Sequence, residues 1–165
     1  LTPLLTRGEL DALLHAVDVS TPLGKRDLAI LSLMALAGLS EIEIVRADLG
    51  DVTHKEGKTA IYVQGKSKDK KDEYVILNPA ASEALHIYIE ERDASSGGEP
   101  LFWGIGNRAS GERITTRGVR ARVNHYLALS GLRKKGIKPL SLRHTAAILA
   151  IAEGATVSDI KRMMH

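Results

Sequence analysis

The stretch Pro139-Leu140-Ser141-Leu142-Arg143-His144-Thr145 sets an arginine, a histidine and a threonine at the head of a mostly apolar run. That run predicts a helix over 141–153, closed by Gly154. A further helix is expected over 156–165, ending in Ile160-Lys161-Arg162-Met163-Met164-His165. An arginine at a helix start has two readings, half of a salt bridge or a ligand for an anion, and this stretch alone leaves both open.

Immediately upstream the sequence turns basic. Residues 108–143 hold 10 Lys/Arg against one acid, Glu112, a local charge of +9. Residues 1–107 carry −6, residues 144–165 are neutral, and the whole chain is only +3. A helix is expected from Thr115/Thr116 to near Gly131, with Val119, Val123, Tyr126 and Leu127 on one face. Arg117, Arg120 and Asn124 line another face, with Arg113 just before the start. Such a stripe is either a solvated surface or the footprint of a polyanion-binding face. A second cationic cluster, Lys66, Lys68, Lys70 and Lys71, sits inside the acidic part beside Asp69 and Asp72.

Towards the N-terminus, Thr6 and Glu9 form a capping box for a helix over 7–17. A strongly apolar helix is expected over 25–37, stopped by Gly38. Ser40 and Glu43 form a second capping box for a short helix over 41–47. From Asp51 the period changes to that of strands, at 60–63 and 74–77, with Val52 in a short third strand and a Gly/Lys-rich hairpin between the longer two. Asn78-Pro79 opens a helix to about Asp93. The expected fold class is α+β: mainly α-helical with a small antiparallel β-sheet.

Composition removes several functions. At 165 residues, 44% apolar and 26% charged, the chain is expected to fold as one domain. The absence of cysteine excludes a disulfide scaffold, a Cys-ligated zinc site and a thiol nucleophile, and fits a cytosolic home. No Walker-type loop occurs, and Gly104-Ile105-Gly106 lacks the spacing of a dinucleotide fingerprint. No His/Asp/Glu cluster has metal spacing, and His15, His54, His86 and His125 are isolated. The longest mostly apolar run, 28–39, is too short to span a bilayer. The chain begins at Leu1 rather than Met, so a piece of a longer protein is expected.

Three segments belong together: Gly38-Leu39-Ser40-Glu41-Ile42-Glu43 with its continuation to Val52, the hairpin Val63-Gln64-Gly65-Lys66-Ser67-Lys68, and the Leu142-Arg143-His144-Thr145 block with residues 160–165. Their order and spacing resemble the catalytic domain of the tyrosine recombinases, the phage integrase family, over essentially the whole of residues 1–165. The resemblance implies site-specific DNA recombination or integration, by strand cleavage and rejoining through a phosphotyrosyl intermediate without metal or other cofactor. It implies double-stranded DNA as partner, a homo-oligomer on DNA (a tetramer in synapsis) and a cytoplasmic, nucleoid-associated location. Arg143 matches the family's second phosphate-clamping arginine, Lys66 its hairpin lysine and His165 its third-box histidine. A planar guanidinium suits a phosphorane because it donates two parallel hydrogen bonds where charge develops. His144 and Thr145 match supporting positions, and Glu43 matches the acid after the first arginine while serving equally as the capping partner of Ser40. Arg113, Arg117, Arg120 and Lys68 are the expected DNA contacts.

The match fails at three places. Ser40 stands where the family has its first catalytic arginine, and Arg46, about 240° round the helix, is no replacement. Leu140 stands where a histidine should precede Arg143 by three. The nucleophilic tyrosine should follow His165, and Tyr62, Tyr74, Tyr88 and Tyr126 do not match it. The expectation is therefore a catalytic domain lacking its C-terminal tyrosine segment and the preceding core-binding domain, inert as a fragment. The rival is a catalytically degenerate relative that only binds DNA.

Overall fold

A computed structural model describes residues 2–92, 98–104 and 111–154. Its elements run α1 (Arg7–His15), α2 (Pro22–Ala35), α3 (Glu41–Arg46), β1 (Val52–Lys55), β2 (Lys58–Val63), β3 (Glu73–Ile76), α4 (Pro79–Glu91), α5 (Thr116–Leu129) and α6 (Pro139–Ala152). This is the expected mainly helical fold with one small antiparallel sheet, ordered β1-β2-β3. The helix expected over 156–165 lies outside the described residues, and His165 with it.

Helix α2 is the buried centre. Ala29, Ile30, Leu31, Leu33, Met34 and Ala35 are all nearly or fully withdrawn from water, so truncating any of the larger ones to alanine would cost about 2–5 kcal/mol. It starts three residues before the sequence expectation because Thr21 caps it through the Gly24 N–H and Pro22 takes the first helical position. Gly24 is required there: a Cβ would lie 1.7 Å from the Asp18 carbonyl oxygen. The helix ends in a left-handed Gly38 (φ 76°), with Leu39 N–H bonded to the Leu33 carbonyl at 3.0 Å. That turn delivers Leu39 and Ser40 to the start of α3.

The sheet buries one face. Thr59, Ile61, Val63 and Val75 point inwards, while Tyr62 and Tyr74 pair edge-to-face on the other side. The strand expected only at Val52 extends to Lys55, paired with β2 from Val52↔Ile61 to Lys55↔Lys58. Helix α4 packs along α2, and its Tyr88 stacks on Phe102 and donates to the Leu101 carbonyl at 2.8 Å. The N-terminal strap is tied to α6 where Leu5 N–H donates to the Thr145 hydroxyl at 3.0 Å.

Among the described residues a polar cluster is buried around Asp27. Asp27 accepts from Arg26 Nε and Nη2 at 3.0 and 2.6 Å, from Arg122 Nε at 2.9 Å and from the Tyr126 hydroxyl at 2.7 Å. Arg26 Nη1 donates to the Trp103 carbonyl at 2.9 Å. The cluster joins α2, α5 and the 101–104 segment.

Candidate nucleic-acid interface

The Gly38 turn, the first turn of α3 and the first turn of α6 enclose a pocket of about 90 Å³. Its wall is Ser40, Glu41, Pro139, Leu140 and Arg143 over an apolar floor of Met34 and Leu39. Ser40, Leu140 and Arg143, separated by a hundred residues of sequence, are thus brought together. Ser40 is the N-cap of α3: its hydroxyl accepts the Glu43 N–H at 3.3 Å, and its own N–H donates to Glu43 Oε1 at 2.9 Å. Half of the Leu140 surface stays open to solvent.

Arg143 is half-buried. Burial pushes its guanidinium below the usual arginine range, and the Glu43 carboxylate pulls partly back. It stays charged at any ordinary pH. Glu43, itself buried, is the capping partner of Ser40, and its charge also acts on Arg143, a link the sequence reading did not contain.

The hairpin root lies against the same acid. A Cβ on Gly65 would stand 4.0 Å from Glu43 Oε2, and Lys66 follows with its side chain exposed. The Gly65 carbonyl accepts from Arg46 Nη1 at 2.5 Å and from the Lys68 N–H at 3.2 Å, which closes a tight turn with Lys66 inside it. At the other root Lys71 donates to Asp48 at 2.8 Å and Asp51 at 2.6 Å. Burial pushes the Lys71 ammonium down, but its bonds to Asp48 and Asp51 outweigh that and hold it above the usual lysine range. Of the hairpin lysines Lys71 is thus a tether. Lys68 is exposed opposite Glu73 at 3.7 Å.

The basic stretch is partly consumed inside the fold. Arg113 donates to the Val45 and Ala47 carbonyls at 2.8 and 3.0 Å and pairs with Asp48. Arg120 pairs with Glu41 at 3.1 Å, Arg122 with Asp27, and Lys135 with Glu9 at 3.0 Å. Arg117, Arg133, Lys134 and Lys138 are exposed. The sequence did not reveal Glu41 as a wall residue, Arg46 as the hairpin's strut, or the Arg120–Glu41 pair. These partners lie 19 and 79 residues apart, beyond any local pattern.

Among the described residues no group of three His, Asp or Glu side chains could hold a metal ion. No helix among them is long and apolar enough to cross a membrane.

Residues 3–165 match the model of the Phage integrase family. The chain is 30% identical over 164 residues to the tyrosine recombinase XerC of Pelotomaculum thermopropionicum, covering 97% of this chain and 52% of that protein. It is 30% identical over 170 residues to the tyrosine recombinase XerD of Xanthomonas axonopodis pv. citri, covering 97% of this chain and 53% of that one. The chain thus spans about half the length of these relatives. The crystal structure of the XerA recombinase superposes with a TM-score of 0.76 at 25% identity, covering 99% of this chain and 56% of that chain. The XerH site-specific recombinase bound to its difH substrate, a pre-cleavage complex, shares the fold with a TM-score of 0.72 at 20% identity, covering 98% of this chain and 46% of that chain.

Proposed function

Since the chain belongs to the phage integrase family, we propose that it is the catalytic domain of a site-specific DNA recombinase that cuts and rejoins strands through a phosphotyrosyl link. The observation that carries this reading is the shared pocket of Ser40, Leu140 and Arg143, with the Lys66 turn held beside its acid, Glu43. Arg143 donates paired hydrogen bonds to the non-bridging oxygens of the scissile phosphate. Lys66 protonates the leaving oxygen, and His165 supports the same phosphate. Arg117 and Lys68 hold the flanking backbone, Arg120 contacts DNA from α5 at the pocket's edge, and Arg113 braces α3 beside them. No tyrosine among the described residues lines the pocket; on this reading the nucleophile comes from another segment of the protein, as does a core-binding domain. The protein works as a homo-oligomer on double-stranded DNA, a tetramer in synapsis, in the cytoplasm at the nucleoid.

The test is a covalent adduct on a nicked suicide substrate, made with a form long enough to carry the tyrosine. Arg143→Ala should lower adduct formation roughly 10²–10³-fold, the scale of one transition-state donor. A second reading has its own support: Ser40 is committed to capping α3, and Leu140 offers no proton carrier. On that reading the protein binds DNA without cutting it, and the same assay gives salt-sensitive complexes and no adduct.

A further inference from the structure

The pocket holds one guanidinium in its wall and has a second at its edge. Arg143 shares the wall with Ser40 and Glu41. Glu41 is reached from α5 by Arg120, whose Nε lies 3.1 Å from Oε2 and whose Nη2 lies 3.4 Å from Oε1. The two partners are not equally fixed: the Arg120 side chain is 56% exposed, the Glu41 side chain 25%. The carboxylate is anchored in the wall, and the cation is the loose member. The guanidinium end of the pair is solvated and its bonds to Oε1 are long, 3.4 Å each, while Oε2 is withdrawn from water and makes no hydrogen bond, so Arg120 is held by charge rather than by aligned bonds and can exchange partners. A phosphodiester offers two oxygens to a guanidinium fork in a geometry an ammonium cannot match. On the α3 side of the pocket Ser40 brings only a hydroxyl already engaged with Glu43 N–H.

We propose that Glu41 is a latch on Arg120, and that a DNA phosphate entering the pocket takes Arg120 from it, so that α5 supplies the second guanidinium opposite Arg143. This rests on the DNA-binding reading above and adds to it a named exchange of partners. Glu41 competes with the phosphate, and it also keeps an exposed arginine parked where the phosphate arrives.

The test is a double-substitution cycle on the full chain, with a fluorescein-labelled mixed-sequence DNA duplex titrated between about 50 and 200 mM salt. Arg120→Ala should weaken binding and reduce the slope of log affinity against log salt by about 0.9, one phosphate contact. Arg120→Lys should keep that slope. Glu41→Gln should tighten binding several-fold when Arg120 is present, and by less than about twofold when it is alanine. An equal gain from Glu41→Gln in both backgrounds would mean that the acid acts only as a repulsive charge, and the latch is overturned. So would an Arg120→Ala chain with a lower melting temperature and an unchanged slope, the mark of a structural pair. Absence of salt-dependent binding by the unaltered chain would overturn the DNA reading and the latch together; binding without coupling overturns the latch alone.

Discussion

Arg122 on α5 and Arg143 on α6 come from the same basic stretch and are both drawn in from solvent, but their surroundings differ in kind. Arg122 meets Asp27, and that one carboxylate is saturated by Arg26, Arg122 and Tyr126 at once. Arg143 stands in the wall of a pocket, and the acid whose charge acts on it, Glu43, also accepts the Ser40 N–H. A closed cluster of this sort fixes helices against each other. A residue in a pocket wall keeps its charge beside space that an anion can enter. Burial of an arginine is therefore no guide to its role; what its carboxylate partner is already doing is.

The sharpest way to break this contrast is to remove the shared acid. Asp27→Ala leaves the buried Arg26 and the partly buried Arg122 without their shared carboxylate, a loss of about 3–5 kcal/mol in urea unfolding. Arg143→Ala should move the unfolding midpoint far less while lowering DNA affinity across all sequences, since phosphate contacts carry no sequence information. If the two variants lost similar stability, Arg143 would belong with Arg122 as a packing group and the pocket would lose its donor.

The same contrast shows what could be read in the sequence. The capping boxes of Thr6/Glu9 and Ser40/Glu43 both form as expected, because each is closed within four residues. The strands and the apolar helices followed from period alone, with ends shifted by a few residues where Thr21 or Pro139 sets the first turn. Within the site, Ser40, Leu140 and Arg143 were legible through their motif spacing, and the pocket joins them. The basic stretch was legible only as a sum. Four of its cations, Arg113, Arg120, Arg122 and Lys135, are partnered by acids 65 to 126 residues away, so the charge left for a polyanion is smaller than the count suggests. Glu41 gave no signal beyond an acid in a first helical turn, where it also suits the helix dipole.

A smaller effect tests whether Ser40 serves the helix as well as the pocket. Ser40→Ala removes the acceptor of the Glu43 N–H and should cost about 1 kcal/mol. Ser40→Gly should cost only a few tenths, because glycine leaves the N–H open to water. Equal losses for the two in a thermal melt would place the serine's value in packing rather than capping.

The smallest expected effect concerns Asp48, which links the hairpin tether Lys71 to the Arg113 brace. Burial pushes its carboxyl up, but hydrogen bonds from Lys71 and Arg113 outweigh that and hold it below the usual aspartate value of 3.8. A carboxyl depressed in the folded state contributes stability that is fully present above the ordinary aspartate range. That contribution is lost as pH falls through the ordinary value and on through the lower folded one. At neutral pH Asp48→Asn should therefore be less stable than the unaltered chain by up to about 1 kcal/mol, modest because the pair is partly exposed. The gap should close as pH drops below about 4, where the unaltered chain loses the same charge. Lys71 keeps Asp51 at 2.6 Å in the variant, so the hairpin root is loosened rather than released. A stability gap as large at pH 3 as at pH 7 would show that shape at residue 48, not charge, holds the hairpin to α3, and the tether would have to be credited to Asp51 alone.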